Sequence, residues 1–154
     1  MLETIIAKVG FKYISGDFHT RRPELREVYA FHDLALSEHG GMPGLRDAGL
    51  LESAVLRPKT AYEYGTSDLA ELAAKLAFGL VSNHAFFDGN KRTALLASLT
   101  FLRLNGKRFN PSESEIAALL IDTANHELSE NELIHAAADA SKRIGQTGRP
   151  RIAV

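Results

Sequence analysis

The residues from His84 to Arg92 place a titratable base, a carboxylate, a Gly-Asn pair and two cations within nine positions. The run reads His-Ala-Phe-Phe-Asp-Gly-Asn-Lys-Arg. Gly89-Asn90 is typical of a helix entry, because glycine adopts turn conformations and an asparagine side chain can cap free N–H groups. A helix that begins near Lys91 would turn its free N–H groups and its positive dipole end toward this loop, which favours a bound anion.

The side chains of this run have types that suit chemistry on a nucleotide. His84 is the candidate general base, because a histidine side chain is available in its neutral form at physiological pH. Asp88 is the candidate Mg²⁺ ligand, since one carboxylate together with nucleotide phosphates is the usual way in which proteins hold this ion. Lys91 and Arg92 would neutralise charge that develops on a transferred phosphoryl group.

Each of these residues also has a less specific explanation. A lone histidine is more often a core or surface residue, and an aspartate in a loop commonly makes a local turn hydrogen bond. Asn90 could cap the helix, bind phosphate or do both, and Phe86 is expected to anchor the loop on the core. The occurrence of all these types in one short run favours a functional site.

The remaining histidines do not indicate a site by themselves. His32 falls on the apolar face of the first predicted helix and is expected to be packed in the core. The other four are expected at the surface: His19, His39, His126 and His135. No pair has the spacing of a zinc site with a carboxylate, so the sequence predicts no such site.

Hydrophobic periodicity predicts an all-α bundle of about six helices in one domain. The central helix after the motif run is apolar on nearly every side and is expected to be buried. The predicted elements are a helix from near Pro23 to His39, one from Asp47 to about Leu56 that Pro58 ends, a loop or small flap over 57–66, a helix from Asp68 to about Asn83, the central helix to Leu104, and helices opened by Ser112 and Ser129.

Composition limits the class of protein. The chain has 154 residues, 45% of them hydrophobic, and a formal net charge of -1, which suits one globular domain and argues against a basic nucleic-acid binder. It has no cysteine, so disulfides and thiolate chemistry are excluded. We see no signal peptide and no membrane span, and expect a cytoplasmic protein without nucleic-acid or membrane partners. The sequence does not indicate an oligomeric state.

The run from His84 to Arg92 resembles the signature of the Fic/Doc superfamily, His-x-Phe-x-Asp-(Gly/Ala)-Asn-(Lys/Gly)-Arg. The segment from His39 to Ala54, which reads His-Gly-Gly-Met-Pro-Gly-Leu-Arg-Asp-Ala-Gly-Leu-Leu-Glu-Ser-Ala, is similar to the death-on-curing branch of that family. Residues 90–95 and 101–106 share this similarity. The resemblance covers roughly residues 23–144, which we treat as the domain; residues 1–22 would be an N-terminal extension and 145–154 a flexible tail.

The resemblance implies an all-helical Fic/Doc fold and transfer of a nucleotide-derived phosphate group to a protein hydroxyl, with ATP and Mg²⁺ as cofactors. It implies that His84 is the base and Asp88 the metal ligand. It also implies that 57–66 is the flap that positions the target peptide. Four consecutive residues would hold the phosphates: Gly89, Asn90, Lys91 and Arg92. Toxins of the death-on-curing branch phosphorylate a threonine of elongation factor Tu, which blocks translation, and an antitoxin of Phd type covers their site.

Two positions favour phosphate transfer over AMP transfer. Fic enzymes, which typically attach AMP, carry glycine where this chain has Lys91 and a second arginine where it has Leu95. Both differences resemble the death-on-curing branch. Two alternatives stay open on the sequence alone: a Fic-type AMP transferase, and a catalytically silent binding or regulatory module that retains the motif.

Overall fold

A computed structural model describes residues 22–107 and 112–146 of the chain. These residues form six helices, which confirms the predicted all-α class and helix number: α1 (Leu25–His39), α2 (Ala48–Glu63), α3 (Leu69–Ser82), α4 (Asn90–Leu104), α5 (Glu113–Ala124) and α6 (Glu130–Gln146). The predicted extension over 1–22 and tail over 145–154 lie almost wholly outside the described residues, and 145–146 belong to α6. Within the described ranges, no helix has both the length and the apolar character that a membrane span requires.

The bundle is built around α3 and α4. Helix α3 packs against α2, α4, α5 and α6, and α4 also contacts α1 and α5. The predicted burial of α4 is confirmed, since Ala94, Ala97 and Phe101 are almost fully enclosed. Gly79 lets α3 approach α2 closely, because a Cβ there would lie 3.1 Å from the Cα of Ala54. Residues 83–89, which we call the motif loop, therefore connect two helices whose positions are fixed by the core.

Helix α2 is longer than the sequence predicted. It continues through Pro58 to Glu63, so the predicted helix end near Leu56 and the predicted loop or flap over 57–66 are wrong for residues 57–63. The missing N–H of proline removes one helical hydrogen bond. The buried face nevertheless continues at helical spacing through Leu51, Ala54, Val55 and Pro58, and Ala61 and Tyr62 pack against the same core. Burial of this face outweighs the lost bond.

The irregular segment 40–47, between α1 and α2, lies against the motif loop instead. Leu45 forms an isolated antiparallel bridge with Phe86. Phe87 N–H donates to the carbonyl of Gly44 at 3.2 Å. We call residues 40–47 the connecting segment. Its contacts with the motif loop were not predicted from the sequence.

Candidate functional site

His84 lies directly after the C-terminal end of α3, with Asn83 as the C-cap. Its backbone is left-handed, with a φ of 49°. A side chain in this region costs about 1–2 kcal/mol, so the surrounding structure must hold it there. The imidazole is exposed to solvent, and its Nδ1 lies 3.3 Å from the side-chain nitrogen of Asn90. An exposed ring beside a cleft is accessible to a substrate hydroxyl.

Asn90 is the first residue of α4 and is buried, and its side chain closes the motif loop. Its Oδ1 accepts from Phe86 N–H at 3.1 Å, and its Nδ2 donates to the Phe86 carbonyl at 2.9 Å. Of the roles that the sequence left open for Asn90, capping of the helix is not the one observed. The N-cap is Gly89, which has a φ of 78° and makes no side-chain capping bond. Because the amide of Asn90 is used across the loop, it orders the residues between His84 and the helix.

The carboxylate of Asp88 is exposed at the mouth of the same loop. Oδ2 accepts from Met42 N–H at 3.2 Å, and Oδ1 accepts from Gly89 N–H at 2.8 Å. These two backbone bonds, first that from Met42, hold the pKa of Asp88 below its usual value of 3.8. The group is therefore an anion at neutral pH, and its oxygens are the hard ligands that Mg²⁺ takes from protein.

Phe86 anchors the loop on the core, as the sequence predicted. It is 2% exposed, its ring stacks on that of His32 with centroids 3.7 Å apart, and Tyr29 meets it edge to face at 6.1 Å. His32 is buried, which confirms its predicted place in the core. His32 also makes a hydrogen bond that the sequence did not indicate, because its Nε2–H donates to the Asp88 carbonyl at 2.9 Å.

Lys91 and Arg92 are exposed in the first turn of α4. Arg92 Nη1 donates to Nε2 of His39 at 2.8 Å, and His39 must be the acceptor because a guanidinium has only donors. His39 is exposed, as predicted, but it also lines the site, which was not predicted. The available signal was its position at the end of α1, directly before Gly40-Gly41.

These groups surround one cleft of about 350 Å³ at the N-terminus of α4. The size suits a small-molecule site. The structure brings all the predicted site residues to this cleft: His84, Asp88, Gly89, Asn90, Lys91 and Arg92. Its remaining lining comes from the end of α1, the connecting segment, Val81, Phe87 and Ala124. A helix N-terminus, two cations and an ionised carboxylate together suit a phosphate group that carries a divalent cation.

Comparison with known proteins agrees with this arrangement. The profile of the Fic/DOC family matches residues 22–102, which contain the whole motif loop. Protein kinase doc of Escherichia phage P1 is 38% identical over 120 residues, which are 77% of this chain and 90% of that protein. Toxin Doc of Mycolicibacterium smegmatis is 50% identical over 70 residues, which are 44% of this chain and about half (53%) of that protein. The chain therefore belongs to the Fic/DOC family, in its death-on-curing branch.

Proposed function

We propose that this protein transfers the γ-phosphate of ATP to a serine or threonine hydroxyl of another protein, and that it acts as the toxin of a toxin–antitoxin system. The observation that carries the proposal is the shared cleft of His84, the ionised Asp88, Lys91 and Arg92 at the start of α4. The two relatives bear names that agree with it, one a protein kinase and the other a toxin.

The proposed reaction uses each of these groups once. His84 accepts the proton of the acceptor hydroxyl, and the hydroxyl oxygen forms a bond to the γ-phosphorus. The bond between that phosphorus and the oxygen bridging to the β-phosphate breaks, and ADP leaves. Lys91, Arg92 and the N–H groups at the start of α4 stabilise the charge on the transferred group. Mg²⁺ held by Asp88 would offset further phosphate charge.

Two observations favour phosphate transfer over AMP transfer. Leu95 stands where Fic enzymes carry their second arginine, and it is half-buried and packs against the core. The cleft therefore receives no cation from that position. Lys91, which replaces a glycine of those enzymes, is exposed and lines the cleft. The cations are thus concentrated at the first turn of α4, close to His84.

We propose elongation factor Tu as the acceptor to test first, with arrest of translation as the consequence. We also propose an antitoxin of Phd type that covers the cleft, and a cytoplasmic site of action, where both partners would be found. These assignments rest on the likeness to the death-on-curing branch.

The proposal is tested with ATP labelled on either the γ- or the α-phosphate, incubated with Mg²⁺ and elongation factor Tu. Label from the γ-position alone is expected, and His84→Ala should lower the rate about 10²–10⁴-fold. Label from the α-position would mean AMP transfer. Growth of a bacterial host after induction is the second assay: arrest by the wild type but not by His84→Ala is expected. Equal growth arrest by both would show that binding, not catalysis, is toxic.

A further inference from the structure

We infer that Arg46 is a positioning residue that fixes the base His84 and acts through it, without a role on the substrate. Arg46 lies in the connecting segment and is not among the residues that line the cleft. Its importance for rate rests on the proposed function, whereas its effect on the position of His84 does not.

Three consecutive carbonyl groups after α3 accept hydrogen bonds from Arg46 and Asp47 of the connecting segment. Arg46 Nε donates to the carbonyl of His84 at 2.7 Å, and its Nη2 donates to the carbonyl of Asn83 at 3.0 Å. The backbone N–H groups of Arg46 and Asp47 both donate to the carbonyl of Ala85, at 2.7 and 3.0 Å. The planar guanidinium thus bridges two adjacent peptide groups, which a single ammonium cannot match.

His84 needs such a contact more than its neighbours do. Its φ of 49° is a conformation that side-chain-bearing residues leave readily unless the structure fixes it. The bond from Asn90 to its ring is 3.3 Å, at the weak end of hydrogen-bond lengths. The guanidinium bond to its carbonyl is short and charge-assisted, and it is therefore stronger than the bond from Asn90.

The guanidinium is not needed to join the two segments. The Leu45–Phe86 bridge, the bonds to Ala85 and the bond from Phe87 to Gly44 all use backbone atoms, which remain when the side chain of Arg46 is removed. The Asn83 side chain also stays bound to the carbonyl of Leu50, at 2.8 Å. Truncation of Arg46 should therefore free His84 while the fold persists.

The test compares Arg46→Ala, Arg46→Lys and Arg57→Ala. Arg57 is the matched control, because it pairs with Glu130 and lies outside the cleft. For Arg46→Ala we expect kcat to fall on the order of 10- to 100-fold with KM for ATP unchanged. The kcat of Arg46→Lys should lie between that of the wild type and that of Arg46→Ala. Arg57→Ala should lower the melting temperature and leave kcat at the wild-type value.

A readout independent of activity is the NMR spectrum of histidine rings in isotope-labelled protein, with His84 assigned from its loss in His84→Ala. In Arg46→Ala the His84 ring signal should shift or broaden while that of His32 stays. An unchanged His84 signal, or a rise in KM with kcat preserved, would overturn the inference. If the wild type transfers no phosphate, the proposed function fails, but the ring signal still decides whether Arg46 positions His84.

Discussion

Replacing Gly41 with alanine should displace the carboxylate of Asp88, which we propose as the Mg²⁺ ligand, without any change to the motif itself. A Cβ on Gly41 would lie 2.7 Å from Oδ2 of Asp88, whereas ordinary contacts begin at 3.4 Å. The oxygen must therefore retreat by about 0.7 Å, which is roughly a third of a Mg²⁺–oxygen bond of about 2.1 Å. Because Mg²⁺ demands near-ideal octahedral geometry, such a shift should weaken its binding at this carboxylate.

Backbone strain must be separated from this contact, because the φ of Gly41 is +123°. Gly65 supplies the control: its φ is +106°, and nothing lies within 4 Å of an added Cβ. Both alanine variants should lose about 1–3 kcal/mol of stability from strain. Thermal denaturation would measure that shared loss.

The assay is the rate of phosphate transfer as a function of Mg²⁺ concentration at fixed ATP. Gly41→Ala should need about tenfold more Mg²⁺ for half its maximal rate, as expected when a metal ligand is misplaced, and Gly65→Ala should match the wild type. NMR titration of Asp88 should also show its pKa closer to 3.8 in Gly41→Ala, because the shift weakens its bond from Met42. The reasoning is refuted if both variants have the same Mg²⁺ dependence and Asp88 titrates as in the wild type.

Two further predictions concern the stability of the motif loop. Phe86→Ala should cost about 3–5 kcal/mol in a urea titration, because it empties a buried ring site. Phe87→Ala removes a ring that is 54% exposed and should cost less than about 0.5 kcal/mol, so similar losses would contradict the anchoring role. The lowered pKa of Asp88 stabilises the fold above pH 3.8, and this contribution disappears as the pH falls through the folded-state pKa. The melting temperature of the wild type should therefore fall relative to that of Asp88→Asn below pH 3.8. A constant difference between the two melting temperatures would refute a role of the hydrogen bonds from Met42 and Gly89 in lowering this pKa.

The helical class and the residues that line the candidate cleft could be predicted because both depend on local sequence. The periodicity of apolar residues determined five helices closely, and the motif placed six groups within nine positions. Pro58 misled the prediction of α2, because a proline usually ends a helix and only tertiary packing reveals that burial offsets the lost bond. The role of the buried Asn90 amide could not be predicted either, because its hydrogen bonds to Phe86 follow from the shape of the motif loop.

Hydrogen bonds between distant parts of the chain could not be predicted from the sequence. The bond from His32 to the Asp88 carbonyl spans 56 positions, and that from Arg92 to His39 spans 53. Neither histidine belongs to a recognisable pair, because spacing carries information only within one helix or loop. Their roles follow from the packing of α1 against α4, which brings the end of α1 beside the motif loop.

The geometry of the site therefore depends on residues that precede the motif by about forty positions. Met42 orients the Asp88 carboxylate, Gly41 leaves room for it, and Arg46 holds the carbonyl of His84. A substitution in the connecting segment can consequently disturb His84 or Asp88 while every motif residue stays in place. The His84–Arg92 sequence thus does not fix the geometry of this site by itself, and the connecting segment must be read together with it.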